Sequence, residues 1–165
     1  MEKYMDGLRS KLEALNFSAN FDATIAAVGP YVSAIMAMSR RDGDIHFLAH
    51  RVTRQDDRQL IDEGECRFVS WLTDGGLLVT SSNVHSPRPR SGVDWLAIAS
   101  EDPATLLKKH RERMRQLSIE NVSPTDFFDR FEAENRNQTD DWLRRGVVRL
   151  ATPAEVTRIR TELRV

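Results

Sequence analysis

CRFVSWLTDGGLLVTSS, residues Cys66 to Ser82, decides the fold. Two runs of aromatic, β-branched and aliphatic residues flank Asp74-Gly75-Gly76. Asp-Gly and Gly-Gly accept the positive φ angles of tight turns, whose twist matches that of paired strands. The stretch reads as a β-hairpin at the heart of an antiparallel sheet. Phe68, Trp71 and Leu72, with Leu77 and Val79 opposite, are its expected packing residues, and Leu72 is expected to be buried.

Working outward, Tyr31 to Met38 and Ile45 to Val52 are apolar runs separated by Arg40-Arg41-Asp42-Gly43-Asp44, a second hairpin by the same reasoning. Asp56 to Gly64 is charged and reads as a surface loop or a short helical turn. Phe21, Ile25 and Val28 suit a short helix that Gly29-Pro30 would end. Beyond the central hairpin, NVHSPRPRSG (Asn83 to Gly92) is a polar connection whose prolines forbid regular helix, and Val93 to Ala99 reads as a fifth strand.

Helices flank this centre. Tyr4, Met5, Leu8, Leu12 and Leu15 recur at helical spacing. Asp102 caps a helix with Pro103 at its first position and an inner stripe of Leu106, Leu107, His110, Met114 and Leu117. Ser123-Pro124 starts another, with Phe127, Phe128 and Phe131 inside and the stripe continuing through Asn135 and Gln138 to Trp142. That helix either runs on with a polar patch or breaks near Asn137. Thr152-Pro153-Ala154-Glu155 is a capping box for the last helix. The fold class is α+β: an antiparallel sheet of four to five strands, mostly a meander, packed by an N-terminal helix and three C-terminal helices. Residues 1–165 form a single domain, with no repeat or linker.

Composition narrows the function classes. With 165 residues, 40% hydrophobic and 30% charged, the chain buries a core without staples and is not disordered. A net charge of −1 argues against a dedicated nucleic-acid binder. The lone Cys66 excludes an intramolecular disulfide and a Cys-rich zinc site, and within a strand it reads as a small buried hydrophobe. MEKYMDGLRSKLEAL has no continuous apolar core, unlike a secretion signal. Ala23 to Ser39 is the longest uncharged run, but Gly29-Pro30 interrupts it, so no membrane span is expected. A cytoplasmic location follows from these expectations.

No motif with a mechanism attached is present, whether Gly-x-Gly-x-x-Gly, P-loop, Gly-x-Ser-x-Gly or His-Glu-x-x-His. On a strand His46 and His50 lie roughly 13 Å apart, too far to share an ion, so no metal and no cofactor is expected. His110 lies on an apolar helical stripe, where a buried imidazole needs a hydrogen-bond partner and burial can displace its pKa as a general base requires; a satisfied core or boundary histidine is the favoured reading. The cationic run Lys108 to Arg115 suits a solvated helix end. His85, Arg88 and Arg90 gather with Ser81, Ser82, Ser86 and Ser91 on the loop leaving the hairpin, where guanidinium and hydroxyl donors suit an anion.

The candidate catalytic residues are therefore His85 and His110, and the candidate ligand-binding residues Arg88, Arg90 and Ser82. The expected function is a non-catalytic cytoplasmic binding or interaction domain for a protein partner or small ligand. The alternative is an enzyme acting on an anionic small-molecule substrate through a histidine and the loop arginines. A homo-oligomer stays open.

Overall fold

The computed structural model describes residues 2–28, 31–55, 60–85 and 89–163. Cys66 to Ser82 folds as a hairpin: β4 (Leu60–Leu72) and β5 (Leu77–Ser81) pair antiparallel, with Val69 opposite Val79 and Trp71 opposite Leu77. Leu72 N–H bonds Gly76 C=O at 2.9 Å across the turn, and Gly75 holds φ +83°, which glycine adopts without strain. Trp71 and Phe68 are buried as expected. Leu72 is only half-buried, because it ends β4 beside the turn.

The second expected hairpin is β2 (Tyr31–Arg40) with β3 (His46–Gln55), and β1 to β5 form a meander. Three expectations change. Phe21 to Val28 is not helical but lies in strand β1 (Phe17–Val28), paired along its length with β2. A short apolar run with no clear period takes whichever pairing its neighbours offer. Leu60 to Gly64 is not loop but strand, continuing β4 in register with β3 from Gln55 opposite Leu60. Of the charged segment, residues 56–59 lie outside the described residues. Finally, β6 (Val93–Ala97) pairs with β5 in parallel, Leu77 opposite Val93. The 83–92 connection approaches the dozen residues needed to return the chain to the start of its neighbour.

The sheet is therefore mixed and larger than a four- to five-stranded antiparallel meander. Its order is β1-β2-β3-β4-β5-β6, with β7 (Ile119–Glu120) paired to the end of β4. Alternation along the strands gives it two apolar faces. One packs Met38, Phe47 and Phe68 against Leu12 of α1 (Glu2–Glu13) and Leu106 and Leu107 of α2 (Pro103–Met114). α2 starts as expected, with Asp102 accepting from Thr105 N–H at 3.0 Å and Pro103 first in the helix. The chain then crosses the sheet end through β7 to the opposite face, where α3 (Phe127–Arg144) lies without a break at Asn137. The Thr152–Glu155 capping box forms reciprocally and opens α4 (Pro153–Leu163). No described helix is long and apolar enough to cross a membrane.

Candidate ligand pocket

α3 is anchored to the sheet at its N-terminal end. Phe127 is fully buried, stacked on the His46 ring at 4.6 Å and edge-on to Trp71 at 5.8 Å. Phe128, placed on the same inner face by the sequence, is instead half exposed and meets Phe21 edge-on at 5.3 Å. Farther along, the inner positions of α3 are Phe131, Glu134, Asn135, Gln138 and Trp142, and they do not close onto the strands. A cavity of about 190 Å³ lies between. Leu48, Val69, Trp71, Leu77, Val79, Val93 and Trp95 supply its sheet wall. All three tryptophans of the protein line it.

The loop after β5 closes one side. Pro89 lines the cavity, and Arg90 beside it donates Nε and Nη2 to the two oxygens of Glu134 at 2.9 and 2.6 Å. This fork-to-carboxylate pairing raises the Arg90 pKa still further. Arg90 N–H also donates to Gln138 Oε1 at 3.3 Å. That bond fixes the amide, since flipping it would set N–H against N–H. Gln138 Nε2 and Trp142 Nε1 are both buried and have no protein acceptor.

Arg67 sits toward the other end, 5.8 Å from the Phe131 ring and 3.9 Å from Glu65 Oε1, too far for a hydrogen bond. Glu65 accepts from Ser81 Oγ at 2.9 Å. A second depression of about 200 Å³ shares Leu48, Glu65, Arg67, Phe131 and Asn135 with the first and adds His50.

The residues singled out from the sequence fall in separate places. His110 is fully buried on the α2 side of the sheet. Its Nε2 lies 3.0 Å from Ser70 Oγ, which donates to Asp44 C=O at 2.6 Å, so Nε2 carries the proton. Thr80 Oγ1 then donates to Nδ1 at 3.0 Å while accepting from Arg113 Nη1 at 2.8 Å. Burial, helped by the Arg113 charge, pushes the His110 pKa down to about 3. The ring is a neutral crosspiece with both nitrogens engaged.

Ser82 and His85 do share an open cleft, with His50, Glu65 and Glu101 in its lining. Ser82 Oγ accepts from Cys66 N–H at 2.9 Å. Arg90 is held apart from that cleft in its pairing with Glu134, and Arg88 lies outside the described residues. His46 is buried on the α3 side: Nε2–H donates to Gly43 C=O at 3.1 Å, and Nδ1 accepts from Ser39 Oγ. Desolvation lowers its pKa to about 4. Cys66 is a buried free thiol whose pKa burial raises to about 11. Among the described residues, no three of His, Cys, Asp and Glu group as metal ligands.

Sequence reasoning missed the pocket although one signal was present: Asn135 and Gln138 lie on the inner stripe of α3, where a packed helix carries apolar residues. No protein family, curated protein or solved structure matches the chain.

Proposed function

We propose that this chain is a non-catalytic binding domain whose ligand is a small, largely apolar molecule held between the sheet and α3. The cavity of about 190 Å³ walled by Trp71, Trp95, Trp142, Phe131 and aliphatic strand residues carries this reading. An apolar cavity of about 150 Å³ takes up benzene, so this one matches a compound of one or two rings. Its described lining contains no serine, cysteine or histidine to act as nucleophile or base. Of its two carboxylates, Glu134 is engaged by Arg90 and Glu65 by Ser81. The enzyme reading draws less support, because Glu65 and Glu101 in the cleft of Ser82 and His85 work against an anion.

Ethylbenzene is a suitable probe. With every tryptophan in the lining, tryptophan emission, excited selectively over the two tyrosines, reports on the pocket. Saturable emission change and a rise in melting temperature are expected, because a ligand selective for the folded state stabilises it. Val93→Phe, which fills the cavity, should abolish both while circular dichroism shows the fold kept. Unchanged emission and melting temperature up to the solubility limit would overturn the reading.

A further inference from the structure

Arg67 stands where the two hollows meet, lining both the tryptophan-walled cavity and the neighbouring depression of about 200 Å³. Its charged end is at that boundary, because the guanidinium carbon lies 5.8 Å over the ring of Phe131, which lines both hollows too. The side chain keeps 27% of its surface exposed, so an incoming molecule can touch it. Among the described residues no acceptor lies within hydrogen-bond distance of the guanidinium. Glu65, its ion-pair partner, stands 3.9 Å away and takes its hydrogen bond from Ser81 instead. Arg90, by contrast, closes its fork on Glu134. The planar N–H fork of arginine matches the two oxygens of a carboxylate, so Arg67 is the open receptor for one.

Glu65 weakens this attraction without cancelling it. A carboxylate on the side of the fork away from Glu65 lies about twice as far from Glu65 as from the guanidinium. Coulomb energy falls inversely with distance, so attraction is about double the repulsion. Glu134 adds little, being neutralised by Arg90. The open cleft of Ser82 and His85 differs, since its described lining holds Glu65 and Glu101 but no arginine or lysine. Along β4, Val69 and Trp71 follow Arg67 on the same face, with Trp71 about 13 Å away. A ring bedded between them reaches the fork through a tether of about two carbons.

Resting on the pocket reading above, we infer that the ligand class is an aryl-alkyl carboxylic acid, its ring in the tryptophan-walled cavity and its carboxylate on the guanidinium fork of Arg67.

Titration calorimetry tests this with 3-phenylpropanoate, 3-phenylpropanamide, propylbenzene and 3-phenylpropylammonium, against wild type, Arg67→Met and Arg67→Lys. Wild type should bind the carboxylate about tenfold tighter than the amide. Arg67→Met, which keeps the apolar stem, should weaken the carboxylate at least about tenfold and propylbenzene by less than about twofold. Arg67→Lys, which keeps the charge and loses the fork, should fall between. Equal affinities of carboxylate and amide for wild type, or equal losses of carboxylate and propylbenzene in Arg67→Met, would overturn this inference and leave the pocket reading intact. The ammonium probe binding tightest would make Glu65 the anchor and overturn it as well. If no probe binds, the pocket reading itself fails. Should neither variant fold, the wild-type comparison of carboxylate with amide decides alone.

Discussion

Lowering the pH from 8 to 5 is expected to remove about 4 kcal/mol of folding stability, and two histidines set that figure. His46 and His110 are both fully buried, and they brace the turn between β2 and β3 from opposite faces. His46 bonds Gly43 C=O directly, while His110 reaches Asp44 C=O through Ser70. Both rings are neutral, with pKa values pushed from 6.5 to about 4 and about 3.

The unfolded chain therefore binds protons near pH 6.5 that the folded chain refuses. Stability is complete above pH 6.5 and falls as the pH drops toward 4 for His46 and 3 for His110. At pH 5 each group lies 1.5 pH units below 6.5, at about 1.4 kcal/mol per unit, which gives about 2 kcal/mol apiece. His50, exposed, shifts in the same direction through desolvation and the Arg67 charge against Glu65, and adds a little more. Stopping at pH 5 keeps most carboxylate titration out of the measurement.

Urea denaturation at both pH values, at constant ionic strength, gives the difference. His110→Gln, which removes one titrating group, should roughly halve the pH dependence. Histidine ring-proton NMR supplies a direct check, since the protein has only four histidines. A loss below 1 kcal/mol, or all four rings titrating near pH 6.5, would refute the reasoning.

Other outcomes are accessible to the same stability assay. Gly43→Ala should cost at least about 2 kcal/mol, because φ is +69° there and the new Cβ would stand 2.3 Å from Val122 O; a loss under half a kcal/mol would contradict it. Phe127→Ala should cost about 3–5 kcal/mol by removing the ring that joins α3 to His46 and Trp71, and near-neutral behaviour would show that α3 is anchored elsewhere. Cys66 should resist Ellman's reagent at pH 8 until the protein unfolds, because burial keeps the thiol protonated; rapid modification of native protein would contradict that.

What the chain discloses locally is whatever local chemistry enforces. Asp74-Gly75-Gly76 and Asp42-Gly43 mark the two hairpins because few other residues make those turns. Asp102-Pro103 and Thr152–Glu155 mark helix starts because backbone N–H groups need those partners. Phe21 to Val28 was opaque because its period suits neither element, and only pairing with β2 decides it. The parallel placement of β6 depends on where a long connection returns, which no single residue states. The apolar stripe of α2 marks His110 as a buried imidazole needing partners, but Ser70 and Thr80 come from β4 and β5, far away in sequence. Arg90 looked free for an anion because its actual partner, Glu134, lies in a helix forty-four residues on. Asn135 and Gln138 were visible as polar breaks in an apolar stripe. Because α3 is continuous, the interruption faces a space and not a kink.

That space persists because the two faces of the sheet are built differently. On the α2 side the inner positions are leucines and a histidine whose every polar atom is matched, and the helix packs down fully. On the α3 side Phe127 docks, but the next turns bring Glu134 and Gln138 over a wall that contains Arg67. Pressing α3 onto the strands would bury more apolar surface at about 25 cal/mol per Å². It would also desolvate the Arg67 guanidinium, whose ion-pair partner Glu65 stands 3.9 Å away, and bring Glu134 into an apolar wall, which costs on the order of several kcal/mol per charge. The polar terms outweigh the area gained, so the helix stands off, with Arg90 holding it at that distance through Glu134 and Gln138. The tryptophan and aliphatic walls are left short of contacts, and a molecule of the right size recovers that apolar contact without forcing the charges inward.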